Sequence, residues 1–536
     1  MVLLNLKPFR HGHARAPFLF IIVGIIVAFA MILPLAYLGI RASEAGTDAL
    51  SILVSFRTLE VFANSAVLAL VVTALSAVIA VVGAFLTVRT DLPAKKFWSV
   101  VFVLPLAIPS FVGSFALIAT FAPRGSVVHN LLLPLGIDVL PSIYGWPGAI
   151  LALTIFTYPY VFLTTRTSLR GMDPALEEVS RSLGRGMLST IRRVTLPHLY
   201  PSIAAGSLLV AFYVLSDFGT PALMRFDSFT RIIYVEYQLA FDRVSSAILS
   251  LLLVTLVGVI LYLEHRVRSK AAYYSLGPGT KRQPTMLTLG RWKGPALVFC
   301  CTIATLGIFI PVGVLLYWFF QGIVAGEVFP DILGITLNTV YAAALATLVI
   351  VSLAVPMALL SVRFPSKSTS FIERISYLGF AMPGIVVALS LVSFGAKHLP
   401  ALYQSMSMLI FAYVILFIPL SIGAIRTSLL QVSPRVEEAA RSLGSNASRT
   451  LFKITMPMIK TGMLSGAALV ILTIMKELPA TLLLSPIEFR TLATQVWAGS
   501  ENASFSYAAL PALVLVAISA ISVTIILSQD KVIARR

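Results

Sequence analysis

An all-α, polytopic membrane fold of about twelve transmembrane helices is what this sequence predicts, on three observations. Of its 536 residues, 58% are hydrophobic and only 12% charged, with a mean hydropathy of +0.94; soluble domains run nearer about a quarter charged. Apolar runs of about 20 residues, long enough to cross a bilayer as helices, recur along the whole chain. Between them, one polar and charged segment occurs twice. Residues 166–197 return 260 positions later at 426–457, with 14 of 32 positions identical in a gapless alignment. The short alternating segments and turn residues of a closed strand barrel are absent from the sequence.

The twelve runs fall at 17–41, 61–88, 97–122, 146–165, 201–219, 245–264, 294–319, 335–361, 373–395, 402–424, 461–480 and 506–528. The first is about 25 residues long and lacks a small-residue cleavage site, so it is read as a retained span and not as a signal peptide. Lys and Arg set the orientation. An N-terminus inside places 1–16, 89–96, 166–200, 265–293, 362–372, 425–460 and the tail in the cytoplasm. Those segments and their immediate edges hold 31 of the 40 Lys and Arg residues. The net charge of +18 is therefore a topology signal, with some attraction to anionic headgroups. It is weak evidence for nucleic-acid binding. Cys300 and Cys301 are neighbours in one predicted helix, where pairing is strained, and read as small buried hydrophobes. Of the six His residues, His11 and His13 lie in the cytoplasmic N-terminal tail, His198 in the loop 166–200, and the rest are scattered; no metal-ligand spacing emerges.

The repeat reaches into the apolar runs. Asn64 matches Asn338 and Pro109 matches Pro383 at an offset of 274, which becomes 260 by Pro159 and Pro419; the first half thus carries about 14 extra residues near 123–145. Six spans per half is an even number, so the halves lie in the same sense across the membrane, as parallel repeats. The division predicted is 1–264 for the first repeat, 265–293 for a basic cytoplasmic linker and 294–536 for the second repeat. The linker carries Gly277-Pro278-Gly279 and Lys281-Arg282-Gln283-Pro284.

Each copy of the polar segment reads as a short helix, a break, and a second short helix leading into a span. Pro174 and Pro434 suit a first helical turn, and Glu177, Glu178, Glu437 and Glu438 sit near the positive end of the helix dipole. Glu177 with Arg181, and Glu437 with Arg441, form (i, i+4) pairs in the favourable order. Leu176, Val179 and Leu183 share one face, as do Val436, Ala439 and Leu443. Gly184 and Gly444 then allow a turn, and Pro197 and Pro457 open the next spans. The plainer reading is an interfacial helix lying on the headgroups. That reading explains charge and amphipathicity, but not Gly and Pro matched at matched distances.

Here the chain resembles the permeases of ATP-binding-cassette (ABC) importers. Their hallmark loop is Glu-Ala-Ala, three residues, Gly, nine residues, Ile-x-Leu-Pro. The second copy reads Glu438-Ala439-Ala440, Gly444, Ile454 and Met456-Pro457. The first reads Glu178-Val179-Ser180, Gly184, Val194 and Leu196-Pro197. The resemblance covers essentially the whole chain and implies a type I importer permease fold made of two parallel six-helix repeats. It also implies that each elbow inserts into a groove on a separate ATP-hydrolysing subunit, so that two elbows call for two ATPase copies, with ATP and magnesium held by that partner. The residues implied for coupling are Glu177, Glu178, Arg181, Gly184 and Pro197, with Glu437, Glu438, Arg441, Gly444 and Pro457. No Gly-Lys dipeptide occurs in the chain, so it contains no phosphate-cradling loop of its own. No cofactor bound by the chain itself is expected.

The family's fused, iron-transporting members are similar to this chain further on, at Met475-Lys476-Glu477-Leu478-Pro479-Ala480-Thr481, whose first-half counterpart is Ser216-Asp217-Phe218-Gly219-Thr220-Pro221. Asp217 and Glu477 match at offset 260 at the outer ends of the spans that come after the elbows, which the family likens to the translocation pathway. Oxygen ligands suit a hard ferric ion. A charged residue at a span end also caps, pairs or snorkels, and Asn64 and Asn338 also serve as interhelical hydrogen-bonding residues. No metal ligands are assigned. The function expected is an inner-membrane permease delivering ferric iron to the cytoplasm. Its cargo would come from an extracytoplasmic binding protein docking on loops that include 123–145, 220–244 and 481–505. Thiamine, a polyamine, a phosphonate, or sulfate or molybdate are the alternative cargoes. A secondary transporter driven by an ion gradient, the alternative of another class, leaves the twin elbows unexplained, as does a structural scaffold.

Overall fold

A computed structural model of the chain describes residues 16–173, 175–238, 240–270 and 286–533. The linker motifs at 277–284, Pro174 and the two N-terminal histidines lie outside the described residues. The fold is helical throughout, apart from a single parallel bridge between Thr90 and Leu287 among the described residues. Among the described residues, eight helices are long and apolar enough to span a membrane: Phe18–Ser43, Phe56–Arg89, Trp146–Gly171, Ile191–Ser216, Arg243–Leu263, Gly290–Val324, Ile332–Arg363 and Met406–Gln431. Three more runs are bent pairs, and the last run forms the helix Phe505–Ile533. Every apolar run read from the sequence therefore meets one helix or one bent pair.

The bends correct the expectation that the third and ninth runs are plain spans. Lys95–Ala107 meets Ser110–Phe121 at 95°, and Lys367–Ala381 meets Gly384–His398 at 102°. Proline explains both. Pro109 and Pro383 cap the second helix of each pair, and the residues before them, Ile108 and Met382, are extended with ψ of 115° and 116°. Proline removes an amide donor and pushes its predecessor out of the helical region, so an apolar run of spanning length still breaks.

The chain divides into two compact units. One combines Val54–Ile232, Thr255–Phe329 and the residues from Val496 on. Its centre is a cluster of Phe56–Arg89, Trp146–Gly171 and Leu196–Ser216, with Ile310–Val324 packed on Ser110–Phe121 and on Phe505–Ile533. The other combines the residues up to Leu53 with Ile233–Val254 and Pro330–Gln495. There Ile332–Arg363, Met406–Gln431 and Lys460–Ile474 form the matching cluster, and Phe18–Ser43 packs against Lys367–Ser376 and Ile332–Arg363. Each unit thus includes helices from both sequence repeats.

Small residues let the central helices approach closely, as they do where lipid offers no hydrophobic drive to associate. A Cβ on Gly206 would lie 2.8 Å from the Val161 Cα, and one on Gly466 would lie 3.3 Å from the Ser421 Cα. Both pairs sit at the 260-residue offset, so the packing repeats along with the sequence. Phe29, Leu70 and Leu348, each about two-thirds exposed or more, point away from these clusters, as suits faces turned to acyl chains.

In the first of these units, the end of the linker region is fastened to the segment after Arg89. The Leu287 amide donates to the Arg89 carbonyl at 2.9 Å, and the Asp91 amide to the Leu287 carbonyl at 3.1 Å. Asp91 also accepts from the Leu289 amide at 2.8 Å and pairs with Lys293 at 2.8 Å. The Lys293 ammonium, followed by the Leu289 amide, holds the Asp91 carboxyl below the usual carboxylate range. A depressed carboxyl stabilises the fold above its unfolded value, and that contribution fades only as pH falls through the lower folded value. The tie is therefore fully formed at neutral pH. Asp91→Asn should raise hydrogen exchange at the Leu289 amide at pH 7; unchanged protection would remove the tie.

Candidate coupling elbows and pathway residues

The first elbow is the helix Ala175–Ser182, a break at 183–186, then Met187–Thr190 running through a π-turn, Ile191–Thr195, into Leu196–Ser216. The second repeats the order: Pro434–Ser442, Ala447–Thr450, a π-turn at Leu451–Thr455, then Met456–Met458 and Lys460–Ile474. Pro197 lies in the first turn of its span, as expected. Pro457 instead lies in a three-residue helix, and a bend of 66° comes after it at Ile459. Gly184 and Gly444 adopt φ of +79° and +83° and close the first helix of each elbow, and their amides donate to the carbonyls of Arg181 and Arg441 at 3.0 Å. This left-handed position is open to glycine and strains most residues with a Cβ, asparagine least.

The apolar faces read from the sequence are uncovered. Leu183 is 71% exposed and Leu443 89%, beside Leu176, Val179 and Val436, which are also exposed. Glu438 is exposed and Glu178 half-buried, whereas Glu437 is buried. The in-helix ion pairs expected of Glu177 and Glu437 are not what forms. Glu177 pairs with Arg89 at 3.4 Å and accepts from the Thr195 hydroxyl at 2.9 Å. Glu437 pairs with Arg363 at 3.0 Å and accepts from the Thr455 hydroxyl at 3.2 Å. The physical reason is burial. A carboxylate on the inner face gains more from a half-desolvated guanidinium than from an exposed neighbour along the helix, where solvent screens the pair. The elbow's inner face is thus bonded to the inner end of the second span of its own repeat.

Sequence reasoning missed Arg89, Arg363, Thr195 and Thr455. The signal was present: each Arg is the charged residue ending a long apolar run, and the two Args stand 274 residues apart, the offset of that part of the repeat.

Asp217 and Glu477 end their spans and cap the short helices beyond. Asp217 accepts from the Thr220 amide at 3.0 Å and the Ser110 hydroxyl at 2.7 Å, ahead of the short helix Gly219–Leu223. Glu477 accepts from the Ala480 amide at 2.8 Å, the Thr481 amide at 2.9 Å and the Thr481 hydroxyl at 2.6 Å, ahead of Pro479–Leu484. Both carboxylates thus accept amides at a helix N-terminus, a stabilising placement, and Asp217 also accepts the Ser110 hydroxyl. Among the described residues, no group of three His, Cys, Asp or Glu side chains is placed to hold a metal ion.

Asn64 and Asn338 are latches on the loops beyond those caps. Asn64 donates to the Asp227 carbonyl at 3.4 Å and Asn338 to the Arg490 carbonyl at 3.2 Å. Their chain neighbours complete the device: the Phe229 amide donates to the Ser65 hydroxyl at 3.0 Å, and the Leu492 amide to the Thr339 hydroxyl at 2.9 Å. Each latch holds the start of a helix, Phe229–Gln238 or Leu492–Glu501, where the sequence predicts only an outer loop.

Each repeat thus carries an elbow of one design and a capped turn of one design. Comparison with known proteins agrees. The family described as binding-protein-dependent transport system inner membrane component matches at residues 79–269 and again at 350–536. The Fe(3+)-transport system permease protein FbpB 2 of Haemophilus influenzae is 33% identical over 514 residues, 95% of this chain and 98% of the relative. The ferric transport system permease protein FbpB of Actinobacillus pleuropneumoniae is 22% identical over 78% of this chain and 64% of its own length. The molybdenum transport system permease protein ModB of Escherichia coli is 32% identical over a shorter reach, 25% of this chain and 58% of the relative. With both repeats matched, the chain belongs to the inner-membrane components of binding-protein-dependent transport systems, as a fused permease of two repeats with the type I ABC permease fold.

Proposed function

We propose that the chain is the permease of an ATP-driven importer for ferric iron in a bacterial inner membrane, with both termini in the cytoplasm. Two copies of a cytoplasmic ABC ATPase bind the elbows, and an extracytoplasmic binding protein hands cargo to the outer loops. The observation that carries the ATPase reading is the pair of elbows. Each has a Gly at positive φ behind an uncovered apolar tip, Leu183 or Leu443, and such a tip gains by burial in a partner's groove. Iron rests on the ferric relatives, one of which is 33% identical across nearly the whole chain. The cargo passes as substrate. Chemically the chain binds, orients and releases; ATP and magnesium belong to the partner.

Labelled ferric iron taken up by cells carrying the chain, its ATPase and its binding protein should fall to background, about 10²-fold or more, when the ATPase's catalytic carboxylate is neutralised. Uptake that continues would favour an ion gradient as the driving force. Unlabelled molybdate, sulfate, thiamine or polyamine that suppresses uptake as well as ferric iron does would reassign the cargo and leave the ATPase reading in place.

A further inference from the structure

We infer that Arg89 and Arg363 are positioning residues that make each elbow and the inner end of the second span of its repeat move as one body, through Glu177 with Thr195 and Glu437 with Thr455. The inference deepens the coupling reading and rests on it. An elbow joined to its unit only by the chain on either side could swing when pulled. A charge-assisted pair between separate elements removes that freedom, because each bond adds a second point of attachment.

Three features make the clasp more than a chance ion pair. It occurs twice, built from elements whose offsets differ, 274 for the Arg and 260 for the Glu and Thr, so both partners persist where the spacing between them has changed. Its threonines end the two π-turns, Ile191–Thr195 and Leu451–Thr455. An extra residue in a helical turn rotates the rest of the helix, and π-turns concentrate at functional positions. Lastly, the Arg side chains are withdrawn from water, with Arg89 only 1% exposed, so the pair is weakly screened.

The two clasps differ in how far they are closed. The Arg363 guanidinium donates from Nε to Glu437 at 3.0 Å and from Nη2 to the Val432 carbonyl at 3.0 Å. The nitrogens of the Arg89 guanidinium are buried without a hydrogen-bond partner among the described residues, and its pair with Glu177 is long, at 3.4 Å. The second elbow is therefore held more rigidly than the first, and substitution at Arg363 should release more motion than substitution at Arg89.

The test needs no cargo. In a Cys300→Ala, Cys301→Ala background, spin labels at Ser361→Cys and Arg435→Cys report the separation of span end and elbow by pulsed electron resonance, with the full chain in lipid nanodiscs. Arg363→Ala should give a distribution about twice as wide, and the exchange Arg363→Glu with Glu437→Arg should narrow it again. A width unchanged by Arg363→Ala, or not restored by the exchange, overturns the clasp. Should Arg363→Ala not fold, Thr455→Val removes one hydroxyl and should still widen the distribution; no widening overturns the proposal equally. With the partner ATPase, ATP and vanadate added, the separation should hold in the parent chain and shift in Arg363→Ala. A shift in the parent chain would deny that the two parts move together. A chain that never binds the ATPase would sink the coupling reading, while the distances in the isolated chain still decide the clasp.

Discussion

Gly184→Val and Gly444→Val are expected to cut ATP-driven uptake steeply while leaving the chain inserted in the membrane. Both glycines hold positive φ, and a Cβ at either would meet nothing within 4 Å. The cost is therefore in the backbone and not in a clash. An L-residue forced into the left-handed region loses about 1–2 kcal/mol, and a β-branched one more. That is small against the stability of a whole membrane body, so the chain should still accumulate. It is large for a short helix at a chain turn, which escapes by letting Leu183 or Leu443 point elsewhere. Uptake should fall by about 10-fold or more for either Val variant, whereas Gly444→Asn, with a side chain that tolerates this conformation, should keep a substantial share. Full uptake in both Val variants, at equal membrane levels, would remove the elbows from the coupling path.

Neutralising the pathway carboxylates should lower stability more than it changes cargo recognition. Glu477 accepts three hydrogen bonds at the start of a short helix, and Asp217 accepts one there and one from the Ser110 hydroxyl. Losing such a cap costs about 0.5–2 kcal/mol, with up to about 1–3 more when a buried donor is left unmatched. Glu477→Ala should therefore reduce the melting temperature of the purified chain and the maximal uptake rate, with the cargo concentration at half-maximal uptake moved by less than about two-fold. Glu477→Gln, which keeps shape and one acceptor, should recover part of the stability. A Gln variant of normal stability whose half-maximal cargo concentration rises tenfold or more, about 1.4 kcal/mol, would place the carboxylate on the cargo instead.

Most of the architecture is legible in the sequence because apolar length and charge placement are properties of the chain itself. Phe18–Ser43 and Met406–Gln431 can be read from composition, and Gly184 and Gly444 from their matched spacing before two matched prolines. What escapes sequence reasoning depends on geometry that composition does not carry. The right-angle turns at Pro109 and Pro383 lie inside runs of the proper length for a span, so the prolines stand out as repeat markers and not as breaks. An (i, i+4) partner for Glu177 and Glu437 is visible in sequence, whereas a partner 88 or 74 residues away shows only as a charge matched at the repeat offset, with nothing to pair it with the Glu. For Asp217 and Glu477 the sequence leaves cap and cargo contact both open; in this structure the amides of Thr220, Ala480 and Thr481, three or four residues onward, donate to them. The helices Phe229–Gln238 and Leu492–Glu501 are short and of mixed polarity, which is why they resemble loop.

The central claim is that two ATPase subunits attach to this one chain, one through each elbow. Native mass spectrometry of the complex purified from membranes, with the chain intact and with Leu183→Asp or Leu443→Asp, tests it most directly. Two ATPase copies on the parent chain, and the loss of one copy with each substitution, are the predicted result. A chain that carries none, or keeps both after the two tips are made acidic together, would contradict it.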